Sequence, residues 1–586
     1  MNTLAKKFQK ALQLHQQGNL AQAQKLYEEI NVAAPDNFQV VNMLALVALQ
    51  GADYGKAIAL YDKAITLNPN SAAAYFNRGH ALQVLNQHES AVASYQQAIK
   101  LQPDYPEAYA QCGAIYRSCG DNQTAITYFD KAIACKPDFV TIHFNRGNAL
   151  RDLKRFDDAV GSYDLAIALK PDYVEALLNR GNTLMELKRT DDAIDSFNAA
   201  IKYKPDYIEA YVNLGNALKD SGQLEAAVAR YDEAIALAPN RADAWANRGN
   251  VLNSLNRQAA AIDSFDRAIA LDPQLADAYW NKSLALLVSG DFEHGLPLYE
   301  WRWQIGAFAG GKKDVPQPLW TGNESLSGKT ILLYSEQGFG DAIQFCRYAA
   351  LVAARGARVI LEVQPALSRL LKDLNGVDAI VSRGEPLPAF DYHCPLLSLP
   401  LAFDTRLDTI PASAGYLHVD SDIRARWAER LGPANKLRVG LVWSGSATHK
   451  NDHNRSLQLV SLLNALPDKF QYISLQKEIR DEDRQTLNRH PELLHLGDEL
   501  QDFADTAALC DLMDIVISVD TSVAHLSGAV GTATWVLLPY SPDWRWLLER
   551  SDSPWYPAMT LYRQPASGDW TIPLKQINDD LLRTLT

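Results

Sequence analysis

Prolines at positions 35, 69, 103, 137, 171, 205, 239 and 273 are each separated by 34 residues. A single globular core does not place eight prolines in one register, so this spacing constrains the first half of the chain more than any other feature. Alanine keeps the same step at 57, 91, 125, 159, 193, 227 and 261. Four residues after each comes an aromatic: Tyr61, Tyr95, Phe129, Tyr163, Phe197, Tyr231 and Phe265. Glycine recurs at 79, 113, 147, 181, 215 and 249. Small residues let two helices approach, aromatic wedges fill the space between them, and proline stops the second helix of each pair. A helix pair of this kind buries its apolar face only against its neighbours, so the expected architecture is an α-solenoid with a long concave groove.

The pattern is that of tetratricopeptide (TPR) repeats. Eight repeats run from about residue 2, and a degenerate ninth, "AYWNKSLALLVSGDFEHGLPLYEWRW", carries Gly295 in the alanine slot and Tyr299 in the aromatic slot. A TPR superhelix is therefore expected over residues 1–304. Two residues before each glycine slot stands a primary amide: Asn77, Gln111, Asn145, Asn179, Asn213, Asn247 and Asn281. A carboxamide both donates and accepts, so a ladder of them can pair with a peptide backbone of any sequence. The plainer alternative is that the amides cap or bridge neighbouring repeats. The ladder, with the repeat style "AYVNLGNALKDSGQLEAAVARYDEAIALAP", resembles the TPR arm of O-GlcNAc transferases. That resemblance implies that these amides hold an extended acceptor polypeptide. TPR arms are also common adaptors, so this half by itself implies a protein partner rather than chemistry.

Beyond Trp303 the period ends. "QIGAFAGGKKDVPQPLWTGNESLSGK" reads as a linker, placed at 305–328. Short apolar runs then alternate with helical stretches: "TILLY" (330–334), "ARVILEV" (357–363) and "DAIVS" (378–382), then "RVGLVWSG" (438–445), "QYISLQ" (471–476), "LLHLG" (493–497), "DIVISV" (514–519) and "ATWVLL" (533–538). Such alternation predicts parallel sheets with crossover helices. The charged helical stretch 420–436 separates two units, so two Rossmann-type lobes are expected, over 329–433 and 434–586, with ligands at the carboxyl ends of the strands.

Three loops at those ends carry chemistry. "YSEQGFGDAIQF" turns through Gly338 and Gly340 into a helix that starts with Asp341. A dinucleotide site would need a third glycine where Ile343 stands, although Glu362 fits the ribose position. Asp341 would also repel a pyrophosphate by about 4 kcal/mol at 4 Å and an effective dielectric of 20. A dehydrogenase is therefore rejected. "WSGSATHKNDHNRS" offers Lys450 and Arg455, a point charge and a planar fork suited to a diphosphate. "VDTSVAHLSGAVG" places Thr521 and Ser522 where a helix starts, with His525 one turn in and Gly528 and Gly531 at its end, so hydroxyls and free N–H groups are available to an anion.

"GFGDAIQFCRYAALVA" and "VDTSVAHLSGAVGTATWVLLP" resemble the two lobes of heptosyltransferase-like glycosyltransferases, over roughly residues 328–586. The resemblance implies a GT-B fold and a nucleotide-sugar donor, with Asp341 matching the aspartate that serves as general base; Gly338, Gly340, Lys450, Arg455, Thr521, Ser522 and His525 are the expected donor-binding residues, and the alternative for Asp341 is an ordinary helix N-terminal aspartate. The segment "SPDWRWLLERSDSPWYPAMTLYRQ" has no counterpart in it. The joint architecture resembles bacterial TPR-glycosyltransferases, some of which modify flagellin. The alternative is a non-catalytic TPR scaffold with inactive lobes.

A net charge of −13 and a pI near 5.4 argue against a nucleic-acid partner, which needs a cationic face. Of the six cysteines none forms C-x-x-C, no Cys/His cluster has zinc spacing, and neither metal nor cofactor is expected. Cys112 and Cys119 are expected on one buried helix face. "MNTLAKKFQKALQLHQQG" has no continuous apolar core and no run of 18 apolar residues occurs, so neither a secretory leader nor a membrane span is expected, and the cytoplasm is the expected location.

Overall fold

In the computed structural model, which describes residues 2–447 and 451–585, the chain divides into two compact units, Met1–Pro239 and Asn240–Thr586. The first is a solenoid of helix pairs running, among the described residues, from Asn2–Gln16 to Leu224–Leu237. The alanine and aromatic slots explain its packing. Ala57, Ala91, Ala125, Ala159, Ala193 and Ala227 are fully buried, as are Tyr61, Tyr95, Phe129, Tyr163, Phe197 and Tyr231. From Tyr95 onward each aromatic lies against the glycine of its own pair: a Cβ on Gly147 would stand 2.6 Å from Tyr163, and one on Gly181 2.4 Å from Phe197.

An arginine next to the amide position stitches successive pairs. Arg146 donates to Asp130 at 2.7 Å and to Ser162 at 2.7 Å, and Arg180 repeats this with Asp164 and Ser196 at 2.6 and 2.5 Å. The turn within each pair needs a left-handed residue. Glycine supplies it at Gly18, Gly120 and Gly222, whereas Ala52, Asn86, Lys154 and Lys188 adopt the same positive φ.

The second unit opens with four more helices, Ala242–Ser254, Gln258–Leu271, Ala276–Val288 and Phe292–Tyr299, and a 3-10 turn at Glu300–Gln304. The last helical repeats pack with the α/β region. The segment that the resemblance leaves without a counterpart is the reason. Asn256 Nδ2 donates to the Tyr540 carbonyl at 2.7 Å, and the Trp544 ring packs 5.7 Å from Phe292 and 6.1 Å from Tyr299. The expected linker 305–328 is partly built into the core. His393 N donates to Pro318 O at 3.1 Å and Trp320 N to His393 O at 2.9 Å, with Trp320 and Leu326 buried.

Among the described residues ten strands follow: β1 (Thr330–Tyr334), β2 (Arg358–Val363), β3 (Ala379–Ser382), β4 (Tyr392–Pro395), β5 (Arg438–Val442), β6 (Gln471–Ser474), β7 (Leu494–His495), β8 (Ile515–Val519), β9 (Thr534–Leu538) and β10 (Met559–Arg563). They form two parallel sheets, ordered β3-β2-β1-β4 and β10-β9-β8-β5-β6-β7. The apolar runs of the sequence correspond to eight of them. β4 and β10 were not anticipated, because "YHCP" carries a histidine and a proline and "MTLYR" lies in the tryptophan-rich segment. Helix Ser421–Leu431 separates the two sheets in sequence. Cys112 is buried, but Cys119 is exposed, because helix Pro106–Ser118 ends one residue before it.

Candidate functional site

In each sheet the strand order reverses at one place, beside β1 in the first and between β5 and β8 in the second. A crevice opens at the carboxyl ends of strands at such a reversal. The three loops singled out in the sequence follow β1, β5 and β8, so all three lie at these crevices.

After β1, Gly338 caps helix Phe339–Phe345 with an extended backbone, and its N–H donates to Asp341 Oδ2 at 2.8 Å. The other oxygen, Oδ1, accepts from Arg545 Nη2 at 2.5 Å. Gly340 abuts the second lobe: a Cβ there would stand 2.9 Å from the His525 ring and 3.5 Å from Ser522 Cα. The space beside Gly340, expected to admit a ligand, is therefore taken by His525, and the missing side chain serves contact between the two lobes.

After β8, Thr521 caps helix Ser522–Val530, its hydroxyl 3.1 Å from Ser518 Oγ. Thr521 and Ser522 are half-buried. The helix ends at Gly531, at φ 99°, whereas Gly528, expected at the end, lies inside it against Tyr556 and Met559. His525 is buried, its Nδ1 3.0 Å from Tyr556 Oη and its ring stacked 5.1 Å from Trp546. Burial first, then Arg545, Arg347 and Arg455, hold its pKa well below the ordinary imidazole value, so it is neutral.

After β5, Arg455 turns back along the sheet edge. Its Nη1 donates to the Asp520 carbonyl at 2.9 Å, and it lies flat against Gly445. Part of the expected phosphate fork is thereby engaged. Lys450 lies outside the described residues.

Several residues were not anticipated. Asp520, at the end of β8, has its carboxyl pushed up to about 6, by burial first and by Asp543 second, with Arg455 opposing. Arg545 lies between Asp543 Oδ1 (2.8 Å) and Asp341. Burial works against its charge, but the two carboxylates outweigh that and hold it above the usual arginine value. Arg347 donates to the Trp555 carbonyl at 2.6 Å and Tyr416 Oη at 3.0 Å and so ties the lobes together. Glu336, buried beside β1, accepts from Arg302 at 3.2 Å and is pushed up to about 7 by burial, with Arg302 opposing. The available signal was the tripeptide Trp-Arg-Trp, which occurs at 301–303 and again at 544–546.

In the first unit the amide ladder makes bridges. Asn179 Nδ2 donates to Asn148 Oδ1 and Asn213 Nδ2 to Asn182 Oδ1, both at 2.9 Å. Asn77, Gln111, Asn145, Asn179 and Asn213 remain half-buried, as do Asn247 and Asn281 in the second unit.

Comparison with known proteins places TPR repeats in the N-terminal region. Residues 49–85, 84–116, 113–150, 147–188 and 181–222 match the TPR repeat family, and residues 212–276 match a further tetratricopeptide repeat family. The chain is 26% identical over 326 residues to Protein FlbA of Caulobacter vibrioides, across 49% of this chain and 52% of that protein. It therefore spans about half the length of this curated relative. Solved structures similar to it include YrrB, a TPR protein with an unusual peptide-binding site (20% identity, 32% of this chain, 98% of that one, TM-score 0.30). Another is the C-terminal part of a TPR repeat-containing protein from Cytophaga hutchinsonii (19%, 47%, 98%, TM-score 0.35). Among the described residues no helix is long and apolar enough to cross a membrane.

Proposed function

We propose that the two parallel-sheet lobes form a GT-B-type glycosyltransferase, which transfers a sugar from a nucleotide-sugar donor to a hydroxyl side chain of a polypeptide held by the TPR repeats. The observation that carries this reading is the coincidence of all three chemical loops with the strand-order reversals of the two sheets. Lys450, Arg455, Thr521 and Ser522 bind the donor phosphates, with the N–H groups of the first turn of helix Ser522–Val530. Asp341 stands on the opposite lobe. The acceptor oxygen attacks the sugar carbon, its proton passes to the Asp341 carboxylate, and the bond from that carbon to the phosphate oxygen breaks with its electron pair leaving on the nucleotide. The configuration at the carbon inverts. The resemblance to TPR-glycosyltransferases supports protein O-glycosylation, with flagellin as one acceptor of this class. No metal is needed in this scheme.

A second reading, a TPR interaction scaffold whose lobes do not turn over, is favoured by one observation: both Asp341 oxygens are engaged, by Gly338 and Arg545. Heat-shift measurements with nucleoside mono- and diphosphates and their sugar conjugates separate the donor site from an empty scaffold. A charge-assisted hydrogen bond is worth about 1.5–3 kcal/mol, so Arg455→Ala is expected to weaken the nucleotide that shifts melting most by about tenfold or more. Absence of any shift with the whole panel would favour the scaffold.

A further inference from the structure

Both Trp-Arg-Trp segments drive an arginine into the loop after β1. Arg302 is fully buried and reaches Glu336, whose side chain is also shielded from solvent, together with Ser398 at 2.7 Å. This contact pins the base of the loop. Arg545 instead reaches Asp341, which keeps 20% of its side chain exposed at the start of helix Phe339–Phe345. Arg302 also pairs with Glu300 at the end of the repeats, but of the two carboxylates in the loop after β1 only Asp341 is open to a ligand.

Arg545 is itself fixed. Its other Nη donates to Asp543, and its plane lies 4.8 Å from the Trp544 ring and 5.3 Å from Phe345. Trp544 is braced on Phe292 and Tyr299 of the last repeat. The guanidinium therefore has one geometry to offer, and Asp341 is held by Arg545 on Oδ1 and by the Gly338 N–H on Oδ2.

We propose that Arg545 is the positioning residue of Asp341, fixing the carboxylate in one rotamer and keeping it ionised for the incoming acceptor hydroxyl. The inference rests on the transferase reading above. An adjacent cation favours the charged form of a carboxylate, as the Arg545–Asp341 contact does here. The other ionisable groups near Asp341 are Glu336 on its own loop, Tyr299 at the end of the repeats and Asp543 beside Arg545, with His525 of the facing helix against Gly340.

The test uses full-length protein, the nucleotide sugar giving the largest heat shift, and nucleotide release measured against pH for Arg545→Gln and Arg545→Lys. In Arg545→Gln, kcat should fall at least about tenfold while KM changes little, and the acidic limb of kcat should move to higher pH. Arg545→Lys should restore the limb, because the charge is kept, but not the full kcat, because the fork is lost. An unchanged limb and kcat in the Gln variant, or a raised KM alone, would overturn the assignment. Should the Gln variant fail to fold, the Lys variant decides: a lower kcat with the limb in place supports the assignment, and an unaltered kcat overturns it. If wild-type protein releases no nucleotide from any donor, the transferase reading fails and the assignment falls with it.

Discussion

Two glycines of one repeat should respond unequally to alanine. Gly161 lies inside helix Phe156–Leu169, is exposed, and a Cβ there would meet nothing within 4 Å. Alanine is the better helix former by about 1 kcal/mol, so Gly161→Ala should stabilise the protein by about that amount. Gly147, in the preceding helix, gains the same propensity, but its new Cβ would stand 2.6 Å from the Tyr163 ring. Ordinary contact begins near 3.4 Å, so the ring must retreat by about 0.8 Å (3.4 − 2.6). Tyr163 is fully buried and its hydroxyl is bonded to Asn148 at 2.8 Å, so it has little freedom to move. Overpacking of this kind costs about 1–3 kcal/mol. Gly147→Ala should therefore be neutral to destabilising by about 2 kcal/mol, and the two variants should differ by about 1–3 kcal/mol. Urea unfolding of the full chain, followed by helical circular dichroism, reads the difference. Equal rises in the two midpoints would refute the packing argument and leave helix propensity as the dominant effect.

Lys154 and Lys188 hold a left-handed backbone that costs a non-glycine residue about 1 kcal/mol. Lys154→Gly and Lys188→Gly should each raise the unfolding midpoint slightly, and a drop in both would show that the turns are unstrained. Asp520 has a raised folded pKa of about 6, so the stability it contributes is present below about pH 4 and is lost as pH rises through about 6. Asp520→Asn should melt above wild type at pH 8 and alongside it near pH 3.5, and a pH-independent difference would contradict the assignment. Asn179→Ala together with Asn213→Ala removes two amide bridges, each worth about 0.5–1.5 kcal/mol. Melting should fall modestly, and capture of an acceptor polypeptide in a pull-down should weaken. Undiminished capture would leave the ladder with bridging alone.

The helical repeats were legible because their information is local: one alanine, one aromatic and one glycine per 34 residues suffice to pair helices. The arginine stitching is less legible, because each arginine beside a ladder amide finds its partners 16 residues away on either side, on two other helices. Buried strands such as "TILLY" and "DIVISV" announce themselves as apolar runs, but β4 and β10 do not. The chemical loops are legible because they follow such strands. Their partners are not, because Arg545 comes from 204 residues beyond Asp341 in sequence. No periodicity or spacing rule links two positions that far apart. What a carboxylate at the start of a helix does is decided by that partner.

The most direct measurement is nucleotide release from a panel of nucleotide sugars by the full-length protein and by Asp341→Asn, with donor binding followed in parallel by heat shift. Base catalysis typically contributes about 10²–10⁴-fold. The expected result is release by wild-type protein, a fall of that size in the Asn variant, and donor binding retained in both. No binding and no release with any donor would contradict the transferase account and leave a TPR scaffold, whereas near-full activity in Asp341→Asn would return that carboxylate to capping its helix.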